Sequence, residues 1–260
     1  MPARSLKATI AKDLHEEIFA LATSTGAFLE PESFDIRRLL READNLQGVN
    51  AVEGSVAKAN IYALTGHIDL VDRWLSNARA NGGNGTCLLA SYCARFNLGF
   101  FSEAHELYPA ALRTVAGSIA HPGLGGVNCA AFSAVIEAYA EVERLKMSEL
   151  ETEAFAMAAE IAKEANALLK RLGATEADVT AILDVAGEVL REAKVFFVGN
   201  LSQVTVVDRP QDAGLLVELT VPCDAVTANV MTERVLERIV DSNLDKAGLA
   251  FSFLPQLSSE

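Results

Sequence analysis

The chain has 260 residues, half of them hydrophobic, with 22 basic against 35 acidic side chains and a formal net charge of −13. A chain this long and apolar buries a sizeable core, and its acid excess repels phosphate backbones, which disfavours nucleic acid as a partner. No apolar run approaches the roughly 20 residues that span a bilayer, so no membrane partner is expected.

In chain order, residues 6–24 read as a first amphipathic helix. Its apolar positions are interrupted by Lys12, Asp13, Glu16 and Glu17, which is the pattern of a helix rather than of a signal peptide. A second helix carries Phe34, Ile36, Leu39, Leu40 and Ala43. Three- and four-residue apolar spacing then predicts helices over 51–65, 68–80, 87–98, 101–117, 127–147, 149–172 and 175–194. "GG" at 82–83, "HPGLGG" at 121–126 and Gly173 read as the breaks between them. Pro109 predicts a kink or an end within 101–117. Ser148 with Glu151, and Thr175 with Asp178, are capping signals.

The texture changes near residue 195. "LSQVTVVDRPQDAGLLVELTVP" is rich in β-branched residues, with Leu215, Val217, Leu219 and Val221 on one face of an alternating run. "RPQDAG" reads as a turn. A helix follows from Asp224, a plausible N-cap, to Asp241, with Val226, Val230, Val235, Leu236, Ile239 and Val240 as its apolar set. "LAFSFLP", 249–255, alternates like a last strand. The expected organisation is therefore a helical part over 1–194 and a small β-β-α-β element over 195–260 packed on it.

Gly66 sits in the middle of "NIYALTGHIDLVDRWLSNA", 60–78, where a glycine inside one long helix would cost about 1 kcal/mol. A shift of 33 residues lays this stretch on "CARFNLGFFSEAHELYPAA", 93–111, with Gly66 on Gly99 and Ala78 on Ala111. Only two of the nineteen positions are identical, yet small, aromatic and large positions keep their order. Both glycines then become corners between two antiparallel helices. The pattern resembles the tetratricopeptide repeat family, a helix–turn–helix unit of about 34 residues. Ala59 and Tyr62 match its first helix, Gly66 its turn, and Val71, Leu75 and Ala78 its second helix. In the next unit Gly99, Ala104, Tyr108 and Ala111 take corresponding places, while Arg95 stands where a tyrosine is expected. A fainter unit, with Gly26 as the turn and Ile36, Leu40 and Ala43 after it, requires a five-residue insertion. The resemblance implies a mainly α superhelix of hairpins whose concave surface takes a peptide or protein segment, without catalysis.

The chain carries no phosphate-binding, nucleophile-elbow or zincin motif, and no cofactor is expected. The histidines, 15, 67, 105 and 121, are scattered, and Cys87, Cys93 and His105 lack a fourth ligand at metal-site spacing. Four cysteines, 87, 93, 129 and 223, none in C-x-x-C spacing, suit buried thiols in a reducing cytoplasm. Arg37, Arg38 and Arg41 form the one tight basic cluster and, with Arg95, are the candidate partner-binding residues. Net charge is −2 over 1–136, −6 over 137–194 and −5 over 195–260, so the acid excess lies in the second half, where it suits a basic partner or simply keeps the protein soluble. The expected function is a cytoplasmic, non-catalytic interaction module, adaptor or scaffold. Two other readings remain open: a structural, self-assembling component pairing through the C-terminal sheet edge, and an enzyme with a site between the helical body and the β-β-α-β element, lined by His121, Asp208, Arg209 or Asp224.

Overall fold

The computed structural model describes residues 3–114, 122–145, 149–197, 203–209 and 212–256. The protein is mainly helical, with a small three-stranded sheet near its C-terminal end. The elements run α1 (Ala3–Thr25), α2 (Phe34–Val49), α3 (Ala51–Leu64), α4 (Ile68–Ala80), α5 (Asn84–Asn97), α6 (Phe101–Thr114), α7 (Pro122–Asn128), α8 (Phe132–Leu145), α9 (Glu149–Leu172), α10 (Glu176–Glu192), β1 (Gln203–Arg209), β2 (Asp212–Val221), α11 (Ala225–Asp241) and β3 (Leu249–Pro255).

Gly66 is a corner. α3 ends at Leu64, Gly66 adopts φ +75°, and α4 starts at Ile68. Only glycine takes this left-handed conformation at no steric cost. Ala59, Val71, Leu75 and Ala78 are buried between the two helices and Tyr62 is half-buried. Gly99 repeats the device at φ +71° between α5 and α6, with Ala104, Tyr108 and Ala111 buried. Its corner rests on α10. A Cβ added to Gly187 would lie 1.8 Å from the Gly99 carbonyl oxygen, so the two backbones touch where neither residue has a side chain. Two charged groups flank that contact. The Arg191 guanidinium donates to the Leu98 and Gly99 carbonyls at 3.1 and 2.6 Å, covering the open end of α5. The Asp184 carboxylate accepts from the Ser102 N–H at 3.0 Å, covering the start of α6.

The buried apolar residues form two clusters, and α5 is the wall between them. Cys87, Ala90, Ala94 and Leu98, at helical spacing, face the first, which α1 to α4 complete. Tyr92 and Phe96, on the opposite side, face the second, which contains residues of α6 to α11 and of the sheet. After α10 the chain runs extended, so consecutive side chains point opposite ways. Phe196 enters the first core and Phe197 the second. This strand-like segment is pinned by an isolated bridge between Ala27 and Val195 and by the Phe28 N–H donating to the Lys194 carbonyl at 2.8 Å.

The C-terminal element is β-β-α-β, with sheet order β1-β2-β3. β1 and β2 pair antiparallel from Gln203↔Glu218 to Arg209↔Asp212, and β2 and β3 pair parallel from Leu215↔Leu249 to Val221↔Pro255. Leu215, Val217, Leu219 and Val221 are all buried on one face, joined by Phe251 and Phe253. The sheet shares its core with the helices, which is why three strands suffice.

Four local expectations are corrected. "PGLGGVN" is helix α7 rather than a loop. Its adjacent glycines let two rings press on the helix, because a Cβ on Gly125 would lie 2.7 Å from the Tyr92 hydroxyl and one on Gly126 would lie 2.4 Å from Tyr108 Cζ. The helix read as 127–147 is broken at Cys129–Ala131, where Ala130 takes φ +56°. Pro109 does not end α6, which continues to Thr114 with Tyr108 and Ala111 buried on either side. The turn read at "RPQDAG" shortens, since Asp212, Ala213 and Gly214 already pair with β1. The Thr175–Asp178 capping box and the Asp224 N-cap are present as expected, whereas Ser148 lies outside the described residues.

Candidate functional site

α11 carries more apolar residues than one buried stripe can hold. Ala228, Met231, Val235 and Ile239 face inward and are buried. Asp224 accepts from the Thr227 N–H at 2.8 Å and caps the first turn. The Phe253 N–H donates to Thr232 Oγ1 at 2.9 Å, tying the helix to β3, and Arg238 reaches Glu192 at 2.7 Å, tying it to α10. The helix is therefore fixed from its inner side.

Its outer side is the unexpected part. Val226, Val230, Leu236 and Val240, all read from the sequence as part of the apolar set, are exposed by 74, 43, 45 and 60%. They run along about 21 Å of helix at 1.5 Å per residue. Together they leave open the equivalent of about two fully exposed aliphatic side chains, worth about 3–6 kcal/mol if covered. Glu233 and Glu237 lie along the same side, both exposed and neither in an ion pair among the described residues. They are i,i+4 neighbours of like charge, an arrangement that disfavours the isolated helix by a few tenths of a kcal/mol.

The arginines singled out from the sequence do not come together as one patch. Arg38 joins α1 to α2: its guanidinium binds both carboxylate oxygens of Glu17 and also Glu42, at 2.9 Å. The Arg38 bonds hold the Glu17 carboxyl below its ordinary range. Arg37 is exposed, 3.7 Å from Glu32. Arg41 is exposed on α2. Arg95 stands elsewhere, on α5, between Asp72 of α4 and Glu103 of α6, each at 2.7 Å. It ties three helices together at the position where the repeat pattern has a tyrosine.

The hairpins offer less open surface than the resemblance implies. α3 packs against α1, α2, α4 and α5, and every residue from Ser55 to Ala59 is buried. That stretch includes Lys58, whose ammonium lies 2.5 Å from Asp44 and 4.0 Å above the Trp74 ring. Trp74 is half-buried and serves as the lid of this cation.

Of the residues considered for an enzyme site, Asp208 and Asp224 are far apart. Asp208 pairs with Ala213 at the start of β2 and binds Arg171 at 2.8 Å, whereas Asp224 follows the end of that strand and caps α11. The strand rise alone separates these positions by about 27 Å. Arg209 ends β1 beside Asp208, and His121 lies outside the described residues. Cys87 belongs to the first core, while His105 faces the Cys129 carbonyl, at 3.2 Å, beside the second. His15 reaches Glu53 at 3.2 Å, and His67 reaches Thr65 Oγ1 at 2.8 Å.

Comparison of the chain with protein-family models, with curated proteins and with solved structures gave no match. No helix among the described residues is long and apolar enough to cross a membrane.

Proposed function

We propose that this protein is a non-catalytic interaction module and that α11 is the element it presents to a partner protein. The observation that carries this reading is the outer side of α11: four exposed aliphatic side chains, in the i,i+4 pairs Val226–Val230 and Leu236–Val240, on a helix whose inner side is locked to the sheet and to α10. An apolar surface on a rigid element loses little freedom when it is covered, so more of its burial energy appears as affinity. The burial of α3 favours α11 over a groove between the hairpins, which serve here as the scaffold.

A photo-crosslinking residue in place of Val230, in the native cell, tests the reading against the same residue in place of Glu106, exposed on α6. The expected result is one protein adduct at position 230, absent at position 106 and lost when Val226→Glu and Val240→Glu are added. No adduct at 230, or the same adducts at both positions, refutes it.

A further inference from the structure

We infer that the occupant of the α11 ridge is a basic amphipathic helix of another protein, its apolar stripe on Val226, Val230, Leu236 and Val240 and its lysine or arginine side chains opposite Glu233 and Glu237. This rests on the reading of α11 as the docking element and adds the chemistry of what docks there.

Shape selects a helix. The exposed side chains form two i,i+4 pairs, Val226–Val230 and Leu236–Val240, staggered along about 21 Å of helix with Glu233 and Glu237 between them, and side chains spaced by helical turns interdigitate with those of a second helix. α11 offers no free strand edge, so an extended peptide would gain no backbone ladder from it. Charge selects the sign. Two carboxylates stand among the valines, and Asp241 adds a third at the C-terminal end of the helix. The charges that face this region from the neighbouring element are Glu188 and Glu192 of α10, both engaged by Arg238, and Arg234 is exposed on the flank of α11. A cation laid between Glu233 and Glu237 removes their mutual repulsion as well as pairing with them.

The same charges argue against two other occupants. Glu233 lies at the midpoint of the ridge, seven residues from Val226 and seven from Val240. A second copy lying antiparallel on a two-fold axis would set Glu233 against its own equivalent, desolvating two like charges together. An anionic lipid surface would meet carboxylates where it attracts cations.

The test uses the full chain and two synthetic helical peptides with the same leucine stripe, one flanked by lysines and one by glutamates. Binding is measured by calorimetry at low and raised salt. The lysine peptide is expected to bind about tenfold tighter than the glutamate peptide, the sum of two pairs gained and two repulsions avoided, and to weaken as salt rises. Glu233→Lys with Glu237→Lys should reverse the preference, and Val226→Glu with Val240→Glu should abolish binding of the lysine peptide, each variant keeping the circular dichroism of the parent. Equal binding of both peptides overturns the basic-partner inference and leaves the docking reading standing. A preference that survives the charge reversal places binding elsewhere and overturns the inference. Binding of neither peptide overturns it too, and the crosslink at position 230 then decides whether the docking reading falls with it. A dimer by light scattering that Val226→Glu with Val240→Glu dissociates makes the occupant a second copy and overturns it as well.

Discussion

Gly187→Ala is expected to destabilise the protein by about 3 kcal/mol, against the ordinary direction of that change. Gly187 lies inside α10, where replacing glycine by alanine normally gains about 1 kcal/mol. Here the new Cβ would sit 1.8 Å from the Gly99 carbonyl oxygen and 2.7 Å from its carbon. Both neighbours are backbone, so no side chain can swing aside, and the α5–α6 corner must move off α10 by well over an ångström. Overpacking of this kind costs about 1–3 kcal/mol. The displacement also stretches the Arg191 bonds to Leu98 and Gly99 and the Asp184 bond to Ser102, charged-group hydrogen bonds worth about 1.5–3 kcal/mol each when intact. Partial loss of these, added to the overpacking and set against the propensity gain, leaves about 3 kcal/mol. At about 2–4 °C per kcal/mol for a chain of this size, the melting midpoint should fall by about 6–12 °C. Gly48→Ala is the matched control. It is also helical, its Cβ would meet nothing within 4 Å, and it should gain at most about 1 kcal/mol. Urea titration followed by circular dichroism reads both. A Gly187→Ala variant as stable as the parent would mean that the α5–α6 corner does not rest on α10.

Three further outcomes follow from other parts of the molecule. Lys58→Met keeps the volume of a buried side chain while removing its charge, so stability should change by less than about 1.5 kcal/mol; because Trp74 is the sole tryptophan and lies under that ammonium, its fluorescence should change in the folded state, and an unchanged spectrum would contradict the contact. Hydrogen bonds from Arg38 to Glu17, from Lys246 to Asp178 and from His15 to Glu53 lower those carboxyls in the folded protein. Stability from such groups is complete above their unfolded pKa, near 4, and is lost as pH falls through the folded values, so the urea midpoint should drop between about pH 5 and 3, less steeply in Arg38→Ala; a midpoint independent of pH there would refute it. Burial raises the Cys87 thiol and pushes that of Cys129 up to about 12, so both should react with a thiol reagent at the rate of unfolding and not before it.

Periodicity and turn chemistry were enough to identify most of the fold. Gly66 and Gly99 announced two corners because a left-handed turn needs glycine. The alternation from Leu215 to Val221 announced a strand with one buried face, and Asp224 announced the start of α11. These are local properties, determined by the residues within a few positions. The candidate site was not local. Periodicity shows that Val226 and Val230 are apolar; which side of α11 the sheet takes depends on β3 and α10, and they take Ala228, Met231, Val235 and Ile239. The excess of apolar positions around α11 was the available signal that two sides were in use. Arg38 and Arg95 looked like free cations until Glu17, Asp72 and Glu103 arrived from other helices. The glycines of α7 looked like a loop until Tyr92 and Tyr108 pressed on them. Backbone conformation and hydrophobic periodicity act over one or two turns of chain, so the sequence of each described element declares them directly. The partner of a charge and the exposure of a face depend on packing between segments far apart in the chain, as for Ser102 and Asp184, 82 residues apart, and only the assembled structure decides them.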